Sequence, residues 1–479
     1  MSSILVFVFD GLQPAQVNPR LMPNLSAFAE AGVTFTNHHS VFPTVTRVNA
    51  SSMVTGMNSG GHGLAGNRMM IREFDPDHAM PAMEPELAQV AKSGVPILLS
   101  PTLGQILAEH GKEYVAIGVG TSGNMYLHNP TAEDTGGATI HPTFALPADL
   151  HEALIDRFGS WPEEAKPNTM RMAHATRIMT EYVLPERMPA VALIWSSEPD
   201  KAQHADGVGS TLSDTAIKEA DGQFGNILQW LRENGSFDDT DIIVISDHGY
   251  STISGVAGVE ALVHEAGFAS GGEEGGVVVA QNGGAALFYT PPGDYDTAER
   301  LATWLMAQPW CGTITASAAV AGIPGTLPAS LVGNEGSRVP ELTMSFRWDS
   351  NTNDAGYAGT AYSTHGEPGT GQHGSMSKHE MNNILFAQGP SFKANHRVDT
   401  PSGNYDLTPT ILKMLGLPGG ESMDGRVLEE ALLDGPTDVG WVIELHDAEH
   451  NLGNKTYRQR IKISTVGTTS YVDEGNSLG

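Results

Sequence analysis

Three apolar runs in this chain each end on an aspartate: "ILVFVFD" at Asp10, "AVALIWSSEPD" at Asp200 and "DIIVISD" at Asp247. Near-continuous Val, Ile, Leu and Phe suit strands buried on both faces, and such strands belong in a parallel sheet with helices on either side. The sequence between them supplies the helices. "MPNLSAFAEAG" (22–32), "TLGQILAEHG" (102–111) and "SDTAIKEADGQFGNILQWLRENG" (213–235) each carry a capping candidate or a closing glycine. Strand alternating with helix predicts an α/β fold with a doubly wound, mostly parallel central sheet. In open sheets of this kind ligands sit beyond the carboxyl ends of the strands, where all three aspartates fall.

After "SDHGYST" the texture changes to "SGGEEGG", "QNGG", "PPGD" and "AGIPG". Within it, "GVVVAQNGGAALFYT" predicts a hairpin around an Asn-Gly turn, and "YDTAERLATWLMAQPW" one amphipathic helix. The core resumes with "NNILFAQGPSF" as a strand and "LTPTILKMLGL" as a helix, and "YRQRIKISTVGTTSYVD" alternates like a terminal edge hairpin. The expected division is a catalytic core in two parts, 1–252 and 364–435, with a smaller α/β cap inserted at 253–363 and a tail at 436–479 packed on the core.

Charge narrows the partners. With 26 basic against 55 acidic side chains the net charge is -29, which opposes binding a nucleic-acid polymer or an anionic membrane through a basic surface. Cys311 is the single cysteine, so an intrachain disulfide and a thiolate zinc site are both excluded. The N-terminal "MSSILVFVFDGLQP" reads as a first strand and not as a signal peptide. No run approaches the roughly 20 apolar residues that cross a bilayer, so a cytoplasmic location is expected, with the oligomeric state left open.

Asp10, Thr46, Asp200, His204, Asp247, His248 and a histidine within "THGEPGTGQHGSMSKHE" collect at the strand ends or in the loops after them. Nitrogen and carboxylate donors without thiolate are what catalytic Zn²⁺ accepts while keeping an open position. Taken singly, an aspartate at a strand end is more often a helix cap and a histidine more often a packed residue. The joint pattern is stronger. Four residues separate Asp200 from His204, which one helical turn brings to the same side. Asp247 and His248 can both reach a metal only if the strand has ended in a turn, which Gly249 would permit.

At this point the chain resembles the alkaline phosphatase superfamily, and within it the type I phosphodiesterase/nucleotide pyrophosphatase group. "VFDGL", "PTVTRVNASSMVTGMNSGGHGL", "EPDKAQHADG", "SDHGY", "HGSMSKHEMNNILFAQGPSF" and "DLTPTILKMLGL" occur in that family's order. The resemblance implies two Zn²⁺ ions, or other divalent cations such as Mn²⁺. Asp200, His204 and His373 would hold one; Asp10, Asp247, His248 and the Thr46 hydroxyl would hold the other. His365 and His379 are the alternatives to His373. Register puts the nucleophile at Thr46 and not Thr44, and implies a phosphothreonine intermediate in the cleavage of a small phosphate diester.

A free threonine hydroxyl is a weak nucleophile that metal coordination activates, and β-branching restricts its rotamers. "RVNASSMVTG" is expected to start a helix whose free N–H groups face the phosphoryl oxygens, with Asn49 donating an amide hydrogen to one of them. Without the metal ligands, Thr46 would read as a helix N-cap. Nucleotide enzymes of the family usually carry an aromatic residue where this chain has Arg47. That arginine suits a substrate carboxylate or phosphonate, or a solvated rim position; Arg68, Arg72 and Lys201 are weaker candidates for the same work. The second reading is therefore a phosphonoacetate-type C–P bond hydrolase on the same metal set. A formylglycine sulfatase is excluded because "TRVNA" lacks its motif, and a phosphoglycerate-type mutase is disfavoured by threonine in place of serine. A binding protein on this fold would show a missing metal ligand, and none is missing. "DSNTNDAG" from Asp349 misplaces the glycine and the glutamate of a calcium loop and reads as a turn.

Overall fold

The computed structural model of this chain describes residues 3–273, 275–453 and 455–478, so the outer bounds 1 and 479 of the expected division lie outside the described residues. The three aspartate-terminated runs form neighbouring parallel strands. Ser3–Phe9 lies between Val191–Ser196 and Thr240–Ile245, with Ile4 level with Val191 on one side and Asp241 on the other. Alternation then sorts the first strand by face. Leu5, Phe7 and Phe9 meet the helices Pro23–Ala31, Thr169–Ile178 and Thr211–Glu233, and Ile4, Val6 and Val8 lie under Thr46–Thr55, Leu103–Glu109 and Leu407–Met414. Each such side chain contributes about 1.5–3 kcal/mol relative to exposure. Phe224 seals one face by setting its ring edge-on to Phe7, Phe9 and Phe28 at 5.2, 6.2 and 5.4 Å.

Among the described residues the central sheet has 10 strands. From one edge it runs His396–Val398, Val33–His39, Asn382–Gln388, Thr240–Ile245, Ser3–Phe9, Val191–Ser196, Tyr114–Gly118, Ala138–His141 and Phe144–Leu146, with Ser402–Gly403 also beside Val33–His39. Asn382–Gln388 runs against both of its neighbours and Phe144–Leu146 against its one; the other pairs are parallel. The doubly wound α/β expectation is met.

The glycine-rich stretch builds two further sheets. In the 5-stranded one, Val278–Asn282 and Ala285–Tyr289 form the expected hairpin, although Asn282 is itself paired and the turn is Gly283–Gly284. The helix Tyr295–Met306 packs Leu301, Ala302 and Leu305 into the same core as Ile314 and Met344 of that sheet. In the 4-stranded one, Ser251–Val256 pairs with Ala358–Ser363 and Gly371–Gln372. "DSNTNDAG" contributes part of the strand Trp348–Thr352 as well as the turn after it.

The tail forms the expected hairpin, Thr456–Val466 against Thr469–Ser477, and adds a strand to it. Val442–Asn451, Thr456–Val466 and Thr469–Ser477 make a 3-stranded antiparallel sheet of their own. It is fastened to the core by the Tyr471 hydroxyl donating to Asp406 (2.8 Å) and the Tyr405 hydroxyl donating to the Ser470 carbonyl (2.5 Å). Among the described residues no helix is long and apolar enough to cross a membrane.

Burial leaves a titratable mark on the helical layer. His128 is enclosed beside Trp195 with Nδ1 3.0 Å from the Tyr114 hydroxyl, and desolvation lowers its pKa from 6.5 to about 3. The unfolded chain protonates this imidazole below about pH 6.5 while the folded chain does not, so the associated stability is present above 6.5 and drains as pH falls. His128→Gln is expected to be less stable than wild type near neutral pH. In urea unfolding that gap should close by about 2 kcal/mol by about pH 5, at about 1.4 kcal/mol per pH unit. A gap independent of pH would contradict the buried neutral imidazole.

Candidate active site

The ends of the three central strands are laced together by main-chain contacts. Asp10 N–H donates to the Ser196 carbonyl (3.1 Å), Asp200 N–H to the Asp10 carbonyl (3.0 Å) and Gly11 N–H to Asp247 Oδ1 (3.0 Å). Asp200 opens the helix Asp200–Asp206, which sets His204 Nε2 3.3 Å from Asp200 Oδ1, as the four-residue spacing predicts. His248 follows the strand Thr240–Ile245 at a turn. Gly249 is required there for a different reason from the one expected. Its φ is not in the left-handed region, but a Cβ would lie 2.2 Å from the His379 carbonyl.

Two groups of three result, Asp200 with His204 and His373, and Asp10 with Asp247 and His248; in each, one ligand atom per residue lies within 4.8 Å of the others. The structure brings His373 to this place and leaves His379 on Ser350 (3.0 Å) and His365 beside Gln372 (3.4 Å). All three imidazoles are oriented alike. His204 Nδ1 lies 3.1 Å from the Gly371 carbonyl, His248 Nδ1 2.9 Å from the Gly249 carbonyl and His373 Nδ1 2.7 Å from the Thr44 carbonyl. A carbonyl only accepts, so each Nδ1 carries a hydrogen and each Nε2 is the atom turned to the centre, where the neutral ring offers a lone pair. His204 Nε2 and His373 Nε2 then face each other at 3.2 Å, a repulsive contact that a cation would relieve. Among the described residues, Asp10 Oδ1 and Asp247 Oδ2 are buried with no hydrogen-bond partner. On both counts the residues fit a pair of divalent cations.

Electrostatics agrees with the geometry. Burial, then Asp247 and Asp200, push the Asp10 carboxyl up. Burial also pushes Asp200 up, but His204 and His373 outweigh it and hold that carboxyl well below the usual range. His373 is lowered to about 4 by burial and by His248. For His248, burial is outweighed by Asp247 and Asp200, which raise it. Three carboxylates share one patch, and without added positive charge they cannot all ionise freely. Two partners the sequence reading missed steady them: Trp195 Nε1–H donates to Asp10 Oδ2 (2.9 Å) and the Tyr250 hydroxyl donates to Asp200 Oδ1 (2.8 Å).

Thr46 is the first residue of the helix Thr46–Thr55, with Val45 at the N-cap, so it is not the cap itself. Its Oγ1 is 3.4 Å from His248 Nε2, whereas Thr44 Oγ1 is committed to the Ser375 carbonyl (2.9 Å). A cavity of about 540 Å³ opens on Thr46, Asp10, Asp200 and His204.

Asn49 requires a correction. Its amide points into the core, where Nδ2 donates to the Val41 (3.1 Å) and Val45 (3.2 Å) carbonyls and Oδ1 accepts from Val41 N–H (2.7 Å) and Asn404 Nδ2 (2.8 Å). Every residue of this helix is buried, and the Asn49 amide is spent on Val41 and Val45 of the segment leading into it. The asparagine at the start of the Thr46–Thr55 helix is Asn67, whose Oδ1 accepts the Arg47 N–H at 3.0 Å. One helix N–H expected to face a ligand is thereby occupied. Asn67 closes "GGHGLAGN", which as sequence reads only as a turn leaving the helix.

Arg47 is not a rim residue. It is 8% exposed, its Nη2 contacts Met83 Sδ (2.9 Å) and its Nε has no partner. Burial lowers its pKa to about 10 against the pull of Asp10 and Asp200. Arg72 pairs with Glu341 (2.7 Å) away from the cavity and Arg68 is exposed, while Lys201 does line it.

The family model described as Type I phosphodiesterase / nucleotide pyrophosphatase matches residues 4–370. A bis(5'-adenosyl)-triphosphatase, enpp4 of Xenopus laevis, is 24% identical over 252 residues, which are 52% of this chain and 48% of that protein. The chain spans about half, or about a quarter, of the length of the curated relatives it matches. Among solved structures, murine ectonucleotide pyrophosphatase / phosphodiesterase 5 aligns with a TM-score of 0.62 at 19% identity, over 87% of this chain and 96% of that one. An inactive variant of the murine protein with a threonine replaced by alanine, in complex with AMP, aligns at 0.61 and 18% identity, with the same coverage of 87% and 96%. At these identities the structural likeness carries the fold.

The two asparagines separate in experiment. Asn49→Ala is expected to lose about 2–4 kcal/mol in chemical denaturation, because the Val41 N–H and one of the two Asn404 amide hydrogens are left buried without an acceptor. An Asn49→Ala protein of wild-type stability that lost only turnover would restore the contact with substrate.

Proposed function

Because this chain belongs to the type I phosphodiesterase/nucleotide pyrophosphatase family, we propose that it is a metal-dependent hydrolase of small phosphate diesters that works through a phosphothreonine intermediate on Thr46. The observation that carries the reading is the convergence of two three-residue ligand groups, each imidazole anchored at Nδ1, beside the Thr46 hydroxyl.

Asp200, His204 and His373 would hold one cation, and Asp10, Asp247, His248 and Thr46 the other. When bound, two divalent ions favour the threonine alkoxide and offset charge on the leaving oxygen. Thr46 Oγ1 attacks phosphorus and the bond to the leaving oxygen breaks; water then attacks the phosphothreonine and restores the hydroxyl. Asn67, whose Oδ1 accepts the Arg47 N–H, would donate its amide hydrogens to a non-bridging oxygen, the role expected of Asn49. A neutral donor among three carboxylates favours a diester monoanion over a monoester dianion.

A nucleotide substrate is supported by the name of the Xenopus relative and by AMP in the murine variant, whose inactivity on losing a threonine also supports Thr46 as nucleophile. One observation favours a phosphonate with a carboxylate instead. Arg47 is a buried guanidinium with no ion pair among the described residues, beside the cavity and in place of an aromatic residue.

Hydrolysis of bis-(p-nitrophenyl) phosphate, p-nitrophenyl phosphate, a dinucleotide and phosphonoacetate, each with and without chelator, decides among these. The diester is expected to be cleaved fastest and chelation to abolish turnover. Thr46→Ala should lower kcat at least about a thousandfold and Asn67→Ala about a hundredfold, with unchanged circular dichroism. Chelator-insensitive turnover would remove the two-cation reading, and preference for phosphonoacetate would establish the alternative.

A further inference from the structure

The cavity that opens on Thr46 continues to a basic wall. Lys201, Arg171 on the helix Thr169–Ile178 and Lys166 line it, and beyond the candidate metal ligands Glu164 is the only lining carboxylate among the described residues. In a chain with 55 acidic and 26 basic side chains, three cations to one carboxylate is a marked local reversal. The Glu164 carboxylate bridges two of the cations. Lys201 Nζ pairs with its Oε1, and Arg171 Nη1 lies 3.5 Å from its Oε2. The cations are the sheltered partners. Lys201 and Arg171 side chains are 21% and 15% exposed and Glu164 54%, and Arg171 Nε is held by the Pro162 carbonyl at 2.9 Å.

We propose that this wall is a subsite for a second anionic group, a carboxylate or a phosphate, on the leaving-group side of the substrate, and that Glu164 is an internal stand-in which that group displaces. The inference rests on the Thr46 hydrolase reading for the direction in which the substrate lies. Lys201 directly follows Asp200, whose ligand group stands beside the leaving oxygen in that reading. Arginine and lysine together give an oxyanion charge-assisted hydrogen bonds with a preferred geometry. A half-exposed ion pair contributes little to stability, so the incoming anion exchanges for Glu164 at small cost.

Calorimetric titration of the metal-loaded protein with 4-hydroxybenzoate, 4-hydroxyphenyl phosphate and neutral methyl 4-hydroxybenzoate tests the subsite apart from turnover. At least one anionic ligand is expected to bind about tenfold tighter than the neutral one, and the tighter of the two identifies the preferred group. Arg171→Gln and Lys201→Met should each weaken that ligand about tenfold, and Glu164→Gln should tighten it about threefold. Anion affinity unchanged by Arg171→Gln and Lys201→Met, or unimproved by Glu164→Gln, overturns the proposal. Hydrolysis of the corresponding methyl phosphodiesters is followed in parallel. Absence of turnover with the binding pattern intact removes the Thr46 reading and upholds the subsite.

Discussion

Mutual repulsion of Asp10, Asp200 and Asp247 is the constraint around which this site is organised. Three adjacent parallel strands end level with one another, and each delivers a carboxylate to the same patch. Charges so close in a partly buried setting oppose one another strongly. The surroundings respond in kind: imidazole Nε2 atoms are turned inward, Trp195 and Tyr250 each donate to one carboxylate, and among the described residues two carboxylate oxygens find no hydrogen-bond partner. A purely structural cluster would satisfy those oxygens. Leaving them bare is sensible only for a centre that takes up positive charge.

The framework of the site was legible because strand burial and metal ligation both impose short-range patterns. An apolar run closed by aspartate marks a strand end, and the Asp200–His204 spacing marks a helical turn, without knowledge of anything distant in sequence. Asn49 and Asn67 show where such reasoning stops. Which amide lies next to the N-terminus of the helix Thr46–Thr55 depends on how that helix is rotated against the core and on where the chain returns after leaving it, and both are set by tertiary packing. Arg47 was ambiguous for the same reason, since an arginine gives no local sign that its guanidinium is enclosed. In the tail, Val442–Asn451 was missed because almost all of its residues are exposed or half-exposed, so no face stands out.

The inserted sheet is tied to the centre through backbone. Gly284 N–H donates to the His373 carbonyl at 2.7 Å, and a Cβ on Gly283 would lie 2.5 Å from that same oxygen. The hairpin that closes on itself at Gly283–Gly284 therefore presses against the segment carrying one imidazole. Displacement of this sheet would act on the backbone of His373, a route to the candidate site other than contact with substrate.

Anchoring the three imidazoles on peptide oxygens of Thr44, Gly249 and Gly371 has an evolutionary corollary. A peptide oxygen comes with any amino acid, yet a Cβ on Gly249 would lie 2.2 Å from the His379 carbonyl and one on Gly371 2.6 Å from the Tyr250 ring, so two of the three anchors admit no side chain. Chain path, kept open by two glycines, therefore encodes the arrangement, in an architecture that solved structures share at 18–19% identity.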